Sequence, residues 1–319
     1  GTVDITIHKL ICNPDERFLC EELLPSSGGC QWGSKFVDLH FEQFLERFFG
    51  PEFFEVYKKN AMARLDILKH FEMLKRKFNP GQDERSRLQL SYLGEELTSA
   101  KLGEFVRGYN EREEEEAKGE GRLPAPLKQR GASSVDLPPP LMVSFFRPLF
   151  ENIKDKVREL ITQARDDKGS PVNFIFMVGG FSESPFLKAE IKQAFEVNQP
   201  EGQAPIQVLV PRRPQVSVIR GACMFGLNPR SITSRISKMT YGINTLTTFD
   251  GEKHPEEKKV IIEGEDFCED VFDAFVKKGD AVGIDEVHVK TYCPVRARQT
   301  VMRIIFYATE STDGKFVDD

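Results

Sequence analysis

From Thr2 to His8 apolar and polar side chains alternate, with Val3, Ile5 and Ile7 on one face and Thr2, Asp4, Thr6 and His8 on the other. A period of two marks a half-buried strand. A turn region rich in Gly, Pro and Ser runs from Pro25 to Gly33, and the period then lengthens. Val37, Phe41, Phe44, Leu45 and Phe48 recur at helical spacing until Gly50-Pro51 breaks the helix. A longer helical stripe is predicted from Phe53 to Phe78, carried by Tyr57, Ala61, Leu65, Leu68, Phe71, Leu74 and Phe78, and stopped by Asn79-Pro80-Gly81. Leu88 to Leu97 reads as one or two short strands.

Between Glu111 and Pro140 the pattern fades. Glu113 to Glu116 is an unbroken acidic run, Gly119 and Gly121 follow, and Pro138-Pro139-Pro140 closes the stretch. Few apolar side chains are present to offset the entropy of ordering, so the segment is predicted to be a flexible insert. Helical spacing resumes from Arg147 to Ala164. Next comes a compact β-α-β-α unit. Val172 to Val178 is an apolar run suited to a buried parallel strand, Gly179-Gly180 turns the chain, and Pro185 occupies a first helical turn. Ile206 to Val210 is a second buried strand, and a helix runs from Val216 to Phe225.

Beyond Pro229 the period returns to two. Strands are predicted at Met239 to Phe249, Lys258 to Glu263, Glu286 to Tyr292 and Thr300 to Ala308, the last with Met302, Ile304, Phe306 and Ala308 on one face. The pattern predicts an α/β domain over residues 1–234, carrying the insert near 111–140, and a β-rich region over 235–319. The boundary is expected near Ser231 to Ser237.

Composition narrows the function classes. The 319 residues suffice for about two domains, and 39% hydrophobic with 29% charged residues is an ordinary soluble balance. Twenty-six Phe against one Trp and six Tyr point to cores filled by Phe. A net charge of -6 leaves no excess of Lys and Arg to neutralise phosphates, which argues against nucleic acid as partner. No apolar run is long enough for a membrane span, and no basic-then-apolar leader opens the chain. The six Cys are scattered without a C-x-x-C pair, as expected of reduced thiols in a cytoplasmic protein. The strand pattern begins at Gly1 without a Met and the chain stops directly after a strand pattern, so the sequence reads as a fragment.

Three segments can carry chemistry. In Gly1-Thr2-Val3-Asp4, backbone N–H groups and a hydroxyl can approach phosphate, with a carboxylate placed for hydrated Mg²⁺. An Asp on the polar side of a strand is ordinarily just solvated. Val178-Gly179-Gly180-Phe181-Ser182 joins a strand to a helix, and paired glycines there allow close backbone approach at a helix N-terminus. A plain turn explains it equally well. It is neither a P-loop nor a full dinucleotide fingerprint. Glu72, Lys75 and Arg76 share one helix face, where a carboxylate can accept from ribose and a guanidinium can stack on a base. The bland alternative is a surface ion pair. Arg220-Gly221-Ala222-Cys223 reads as close helix packing. The five His form no constellation, and no hydrolase triad is supported.

In order along the chain, these pieces resemble the seventy-kilodalton heat-shock protein superfamily of actin-like ATPases, nearest to its divergent 12A and 12B branch. Gly1-Thr2-Val3-Asp4-Ile5-Thr6 is similar to the tail of the family's second phosphate motif, and Gly28-Gly29 to a glycine pair that approaches the nucleotide. Phe71-Glu72-Met73-Leu74-Lys75-Arg76 falls where the family holds ribose and adenine. Val178 to Pro185 resembles the adenosine motif, and Arg213-Pro214 to Gly221-Ala222 the helix after it. Tyr241-Gly242-Ile243 and Phe275 to Asp280 resemble pieces of the β-rich region, which corresponds to the family's substrate-binding domain.

The resemblance implies the second lobe of an actin-like, ribonuclease H-like ATPase domain, followed by a β-rich segment that meets protein or peptide clients. It implies ATP or ADP with Mg²⁺ as cofactors, contacted by Gly1, Thr2, Asp4, Gly28, Gly29, Glu72, Lys75, Arg76, Gly179, Gly180 and Phe181, with Asp4 toward the metal. The first lobe and the leading residues of the phosphate motif are absent, so the chain alone is expected not to turn ATP over. Phe181 and Glu183 stand where ordinary chaperones carry Ser and an adenine-stacking Arg, and Gln215 replaces an Asp. The alternative is a catalytically inactive scaffold or regulatory interaction module on the same frame. A sugar or acetate kinase of the superfamily is a weaker option.

Overall fold

The structure is a computed structural model and describes residues 1–12, 18–81, 85–198, 205–296 and 298–318. The chain forms two compact units. Unit 1 comprises Gly1–Asp4 and Gly28–Cys223; unit 2 comprises Ile5–Ser27 and Met224–Asp319.

The N-terminal strand pattern resolves into two strands. β1 (Val3–Ile5) lies beside β4 (Ser27–Cys30), whereas β2 (His8–Cys12) pairs antiparallel with β3 (Phe18–Glu22). Alternate exposure continues through Thr6 and Ile7. Side-chain period therefore carries no trace of the change of backbone partner.

In unit 1, α1 (Lys35–Lys59) bends at Gly50, whose φ of 74° and ψ of 163° lie outside helical space, directly before Pro51. Asn60 ends it and caps α2 (Ala61–Lys77), its side chain accepting from the Ala63 N–H at 3.1 Å. The single helix expected from Phe53 to Phe78 is thus two. The break shifts the helical phase, so α2 buries Ala63, Ile67, Phe71 and Lys75 while Leu65 is exposed. Phe side chains dominate the core, as expected. Phe41 and Phe71 stack with centroids 3.7 Å apart, and the Phe145 ring sets its edge against both.

The segment expected to be a flexible insert is ordered. After β5 (Ser86–Gln89) and a 3₁₀ turn at Ser91–Glu96, α3 (Ser99–Glu120) runs through the acidic stretch. Its buried face is Leu102, Val106, Tyr109, Glu113 and Ala117, and Gly121 closes it in the left-handed conformation. The seam starts upstream of the acidic run. Glu113 joins it because Arg122 at 2.5 Å and the Ala125 N–H at 3.1 Å satisfy its carboxylate. β6 (Lys128–Arg130) and β7 (Ser134–Leu137) complete a three-stranded sheet ordered β5-β7-β6. In the fully buried central strand, Asp136 is held by Arg87 at 3.1 Å and Arg130 at 2.6 Å. The proline triplet opens α4 (Pro139–Lys168), with Pro in its first turn.

The β-α-β-α unit is present as β8 (Phe174–Phe176), α5 (Pro185–Lys192), β9 (Gln207–Leu209) and α6 (Pro214–Leu227), with β8 and β9 parallel. β8 is not buried on both faces. Phe174, Phe176 and Val178 are exposed, because the two-stranded sheet is covered on one side only among the described residues. α6 likewise buries only Pro214.

Unit 2 holds two four-stranded sheets. One is ordered β14-β10-β3-β2, where β10 (Ile232–Ile236) runs parallel to β3 and β14 (Ala281–Gly283) antiparallel to β10. The other is ordered β12-β13-β11-β15, from β11 (Thr240–Thr248), β12 (Lys259–Ile262), β13 (Glu265–Val276) and β15 (Phe306–Thr309). β10, β13 and β14 are absent from the sequence expectation. In β13 the alternation loses phase where Asp270 takes a φ of 60° and the register against β11 slips. The stretch expected as a strand at Glu286 to Tyr292 forms none, and the last strand shortens to β15, with Met302, Ile304 and Phe306 exposed.

Candidate functional site

The first candidate segment folds onto the glycine pair. The Gly29 N–H donates to Asp4 Oδ1 at 2.8 Å and the Thr2 hydroxyl donates to Oδ2 at 3.2 Å. Gly28 packs on the same carboxylate so tightly that a Cβ there would lie 2.8 Å from Oδ1. The Gly33 N–H donates to the Gly1 carbonyl at 3.2 Å, and a Cβ on Gly33 would meet that oxygen at 2.4 Å. Gly1, Thr2, Asp4, Gly28 and Gly29 thus form one corner, and Gly33 closes on the Gly1 backbone as only glycine permits. Asp4 remains exposed. A magnesium ion that keeps most of its waters needs one or two carboxylates and the ligand's phosphates, and Asp4 fits that requirement. Among the described residues no three ligating side chains converge as a metal cluster.

The candidate face of Glu72, Lys75 and Arg76 divides by role. Lys75 is 4% exposed; its ammonium lies 2.6 Å from Asp38 Oδ1 and 2.5 Å from Glu72 Oε2, and donates to the Ser34 carbonyl at 3.3 Å. Burial pushes the Asp38 carboxyl above its ordinary pKa, with the Glu72 and Glu42 charges adding to it, although Lys75 opposes the shift. Arg76 is largely exposed and pairs with Glu183 Oε2 at 2.9 Å, with Glu72 Oε1 at 4.0 Å.

Between α1 and α2 opens a cleft of about 800 Å³. Gly1, Thr2 and Glu72 line it, together with Lys35, Asp38, Glu42, Arg64 and Lys69, and with an apolar side made by Phe36, Leu39, Leu65 and Leu68. Glu42 and Arg64 pair across the two helices at 2.7 Å. The outward Leu65 therefore has a surface to serve. Carboxylates accept from hydroxyls, cations attract an anionic group, and leucines cover a flat ring. Sequence reading misses Lys35, Asp38, Glu42 and Arg64, since charged residues on amphipathic helices are unremarkable until two helices face each other. Gly33 carried a usable signal, as a small residue at the close of a turn before a helix.

The glycine turn of Val178 to Ser182 approaches α2 without lining this cleft. Gly179 has a φ of 86° and its N–H donates to the Pro214 carbonyl at 2.8 Å. A Cβ on Gly179 or Gly180 would meet no atom within 4 Å, so internal packing does not demand glycine at 180. Phe181 is half-buried, its ring 6.1 Å from that of Phe150. The Arg76–Glu183 pair links the turn to α2. The structure thus gathers Gly1, Thr2 and Glu72 on one cleft, ties Asp4 to Gly28 and Gly29, joins Arg76 to the glycine turn, and sets Lys75 behind the wall.

No helix among the described residues is long and apolar enough to cross a membrane. No family model matches the chain. Along its whole length the chain is similar to heat shock 70 kDa protein 12A of human and of mouse, at 29% identity to each. It is similar to human heat shock 70 kDa protein 12B at 28%. It spans 44% of the length of the two 12A proteins and 43% of 12B. The resemblance read from the motifs is borne out over all of this chain.

Proposed function

We propose, from the premise of a chain similar throughout to the 12A and 12B heat shock 70 kDa proteins, that the cleft between α1 and α2 binds a magnesium-bound adenine nucleotide. The chain then supplies the second nucleotide-contacting lobe of an actin-like ATPase domain. What supports this reading is that Gly1 and Thr2, from the phosphate-motif resemblance, share one cleft with Glu72, from the ribose-motif resemblance. Thr2 and the backbone around Gly28 and Gly29 meet phosphate, and Asp4 holds water ligands of the metal. Glu72 accepts ribose hydroxyls while Leu65 and Leu68 cover the base. Arg76, Gly179, Gly180 and Phe181 lie beyond the cleft, around the Arg76–Glu183 pair, and meet the adenosine where it extends past Glu72. Bound Mg²⁺ supplies charge neutralisation at the phosphates. Hydrolysis depends on positioning groups, which the resemblance assigns to the other lobe. The β-rich unit meets protein or peptide clients, and the whole acts as a cytoplasmic chaperone of the stress response.

Calorimetric titration of the 319-residue chain with MgATP and MgADP tests the proposal. Binding is expected with a Kd of about 0.1–1 mM, weakened at least several-fold by Asp4→Ala, and without turnover. Silence at several millimolar nucleotide would overturn it, and a hydrolysis rate abolished by Asp4→Ala would overturn the need for a further lobe. One observation favours the scaffold reading. The Arg76–Glu183 pair and the packed Phe181 commit to internal contacts the groups expected to flank the base. A silent titration is what that reading expects.

A further inference from the structure

A second groove, of about 510 Å³, runs along the first turns of α4 and shares no lining residue with the cleft between α1 and α2. Pro140, Val143, Ser144, Arg147 and Pro148 recur at spacings of three and four, so they occupy one face of the helix. Pro139 and, from beyond the end of α2, Pro80 complete the lining. The floor is thus a valine and four pyrrolidine rings, rigid, apolar and without N–H groups of their own. The Ser144 hydroxyl is already committed, donating to the Leu141 carbonyl at 2.7 Å. Two polar groups remain open. Arg147 is exposed, and among the described residues it makes no hydrogen bond or ion pair. Glu151, one turn later, is held by Lys154 at 2.9 Å. The other group is a carbonyl. Pro148 has no N–H to give, so the carbonyl of Ser144 one turn earlier lacks its helical donor.

We propose that this groove docks an acidic peptide segment of a partner protein, one in which a tryptophan stands beside a carboxylate. The indole ring lies on the prolines, its N–H donates to the Ser144 carbonyl, and the carboxylate pairs with Arg147. Charge selects the partner: an unpaired guanidinium beside an apolar floor attracts an anion and repels a basic segment. The open carbonyl selects the ring, because indole nitrogen only donates, whereas a phenylalanine would leave the acceptor unmet. The site lies wholly within unit 1 and stands apart from the nucleotide reading of the other cleft.

The test is an NMR titration of the full chain with the probe peptide acetyl-Gly-Ser-Trp-Asp-Ser-Gly-amide. Binding is expected with a Kd of about 0.1 mM. Changing the probe's aspartate to asparagine weakens binding about tenfold, as does Arg147→Gln, and the two losses do not add because they remove one pair. Replacing the probe's tryptophan by naphthylalanine keeps the fused rings and drops the N–H, which costs about fivefold in the parent chain. In Pro148→Ala that difference vanishes, since the restored N–H takes the Ser144 carbonyl. Arg147 and Pro148 are both exposed, so both variants keep the core intact. Silence at several millimolar probe, charge losses that add, or a tryptophan preference unchanged in Pro148→Ala overturns the proposal. So does a dimer of the chain that Arg147→Gln dissolves, which assigns the groove to a second copy.

Discussion

Glu113 begins the acidic run, and its carboxylate is almost wholly buried between Arg122 at 2.5 Å and Arg47 at 4.0 Å. Burial alone raises its pKa, but the hydrogen bonds from Arg122 and the Ala125 N–H, with the two guanidinium charges, outweigh it and hold the group below its ordinary 4.5. The unfolded chain therefore takes up the proton first as pH falls. Stability from this group is fully present above the ordinary glutamate value and is lost as pH drops through the lower folded one. Thermal melts between about pH 6 and pH 3 should fall more steeply for the parent than for Glu113→Gln, the gap between them narrowing as the carboxyl takes up its proton. Parallel profiles would exclude the mechanism. The same residue explains why the insert was illegible: a run of four glutamates looks solvated, and only a tertiary partner, Arg122, turns one of them inward.

Among the elements, α1 depends on one backbone position. Gly50 occupies a region that is essentially closed to side-chain-bearing residues, and Pro51 bars an unbroken helix through it. Phe44, Phe48 and Phe49 before the bend and Phe53 after it still meet in one aromatic row. Gly50→Ala should cost about 1–3 kcal/mol in chemical denaturation; no loss would mean the bend relaxes freely. This break was plain in the sequence because Gly-Pro is a local signal. The break at Asn60 was not, since Asn is tolerated within helices and its capping role appears only when Ala63 turns back to it. The glycine turn before α5 and the face bearing Glu72 and Arg76 were legible for the same local reason. The cleft was not, because it exists only where α1 and α2 face each other.

The molecule is not divided where the hydrophobic period changes. Ile5–Ser27 leaves unit 1 to join strands that lie more than two hundred residues later: the Thr233 hydroxyl donates to the Cys20 carbonyl at 3.2 Å, and the Ile236 N–H donates to Glu22 at 2.9 Å. Period cannot report such pairing, because strand alternation is the same whichever partner the backbone finds. A chain ended after Cys223 keeps β2 and β3 but loses β10, leaving β3 with an open edge. It should self-associate in light scattering at concentrations where the full chain keeps its own mass; an unchanged mass would show that the hairpin tolerates exposure.

The wait imposed on β3 also has a duration. At roughly 5–20 residues per second, a ribosome adds the 213 positions between Cys20 and Thr233 in about 10–40 s. Through that interval the hairpin is made and lacks its neighbour, while all of unit 1 has time to form. During synthesis β3 thus waits for β10 until unit 1 has been made, and synthesis rate sets how long it waits.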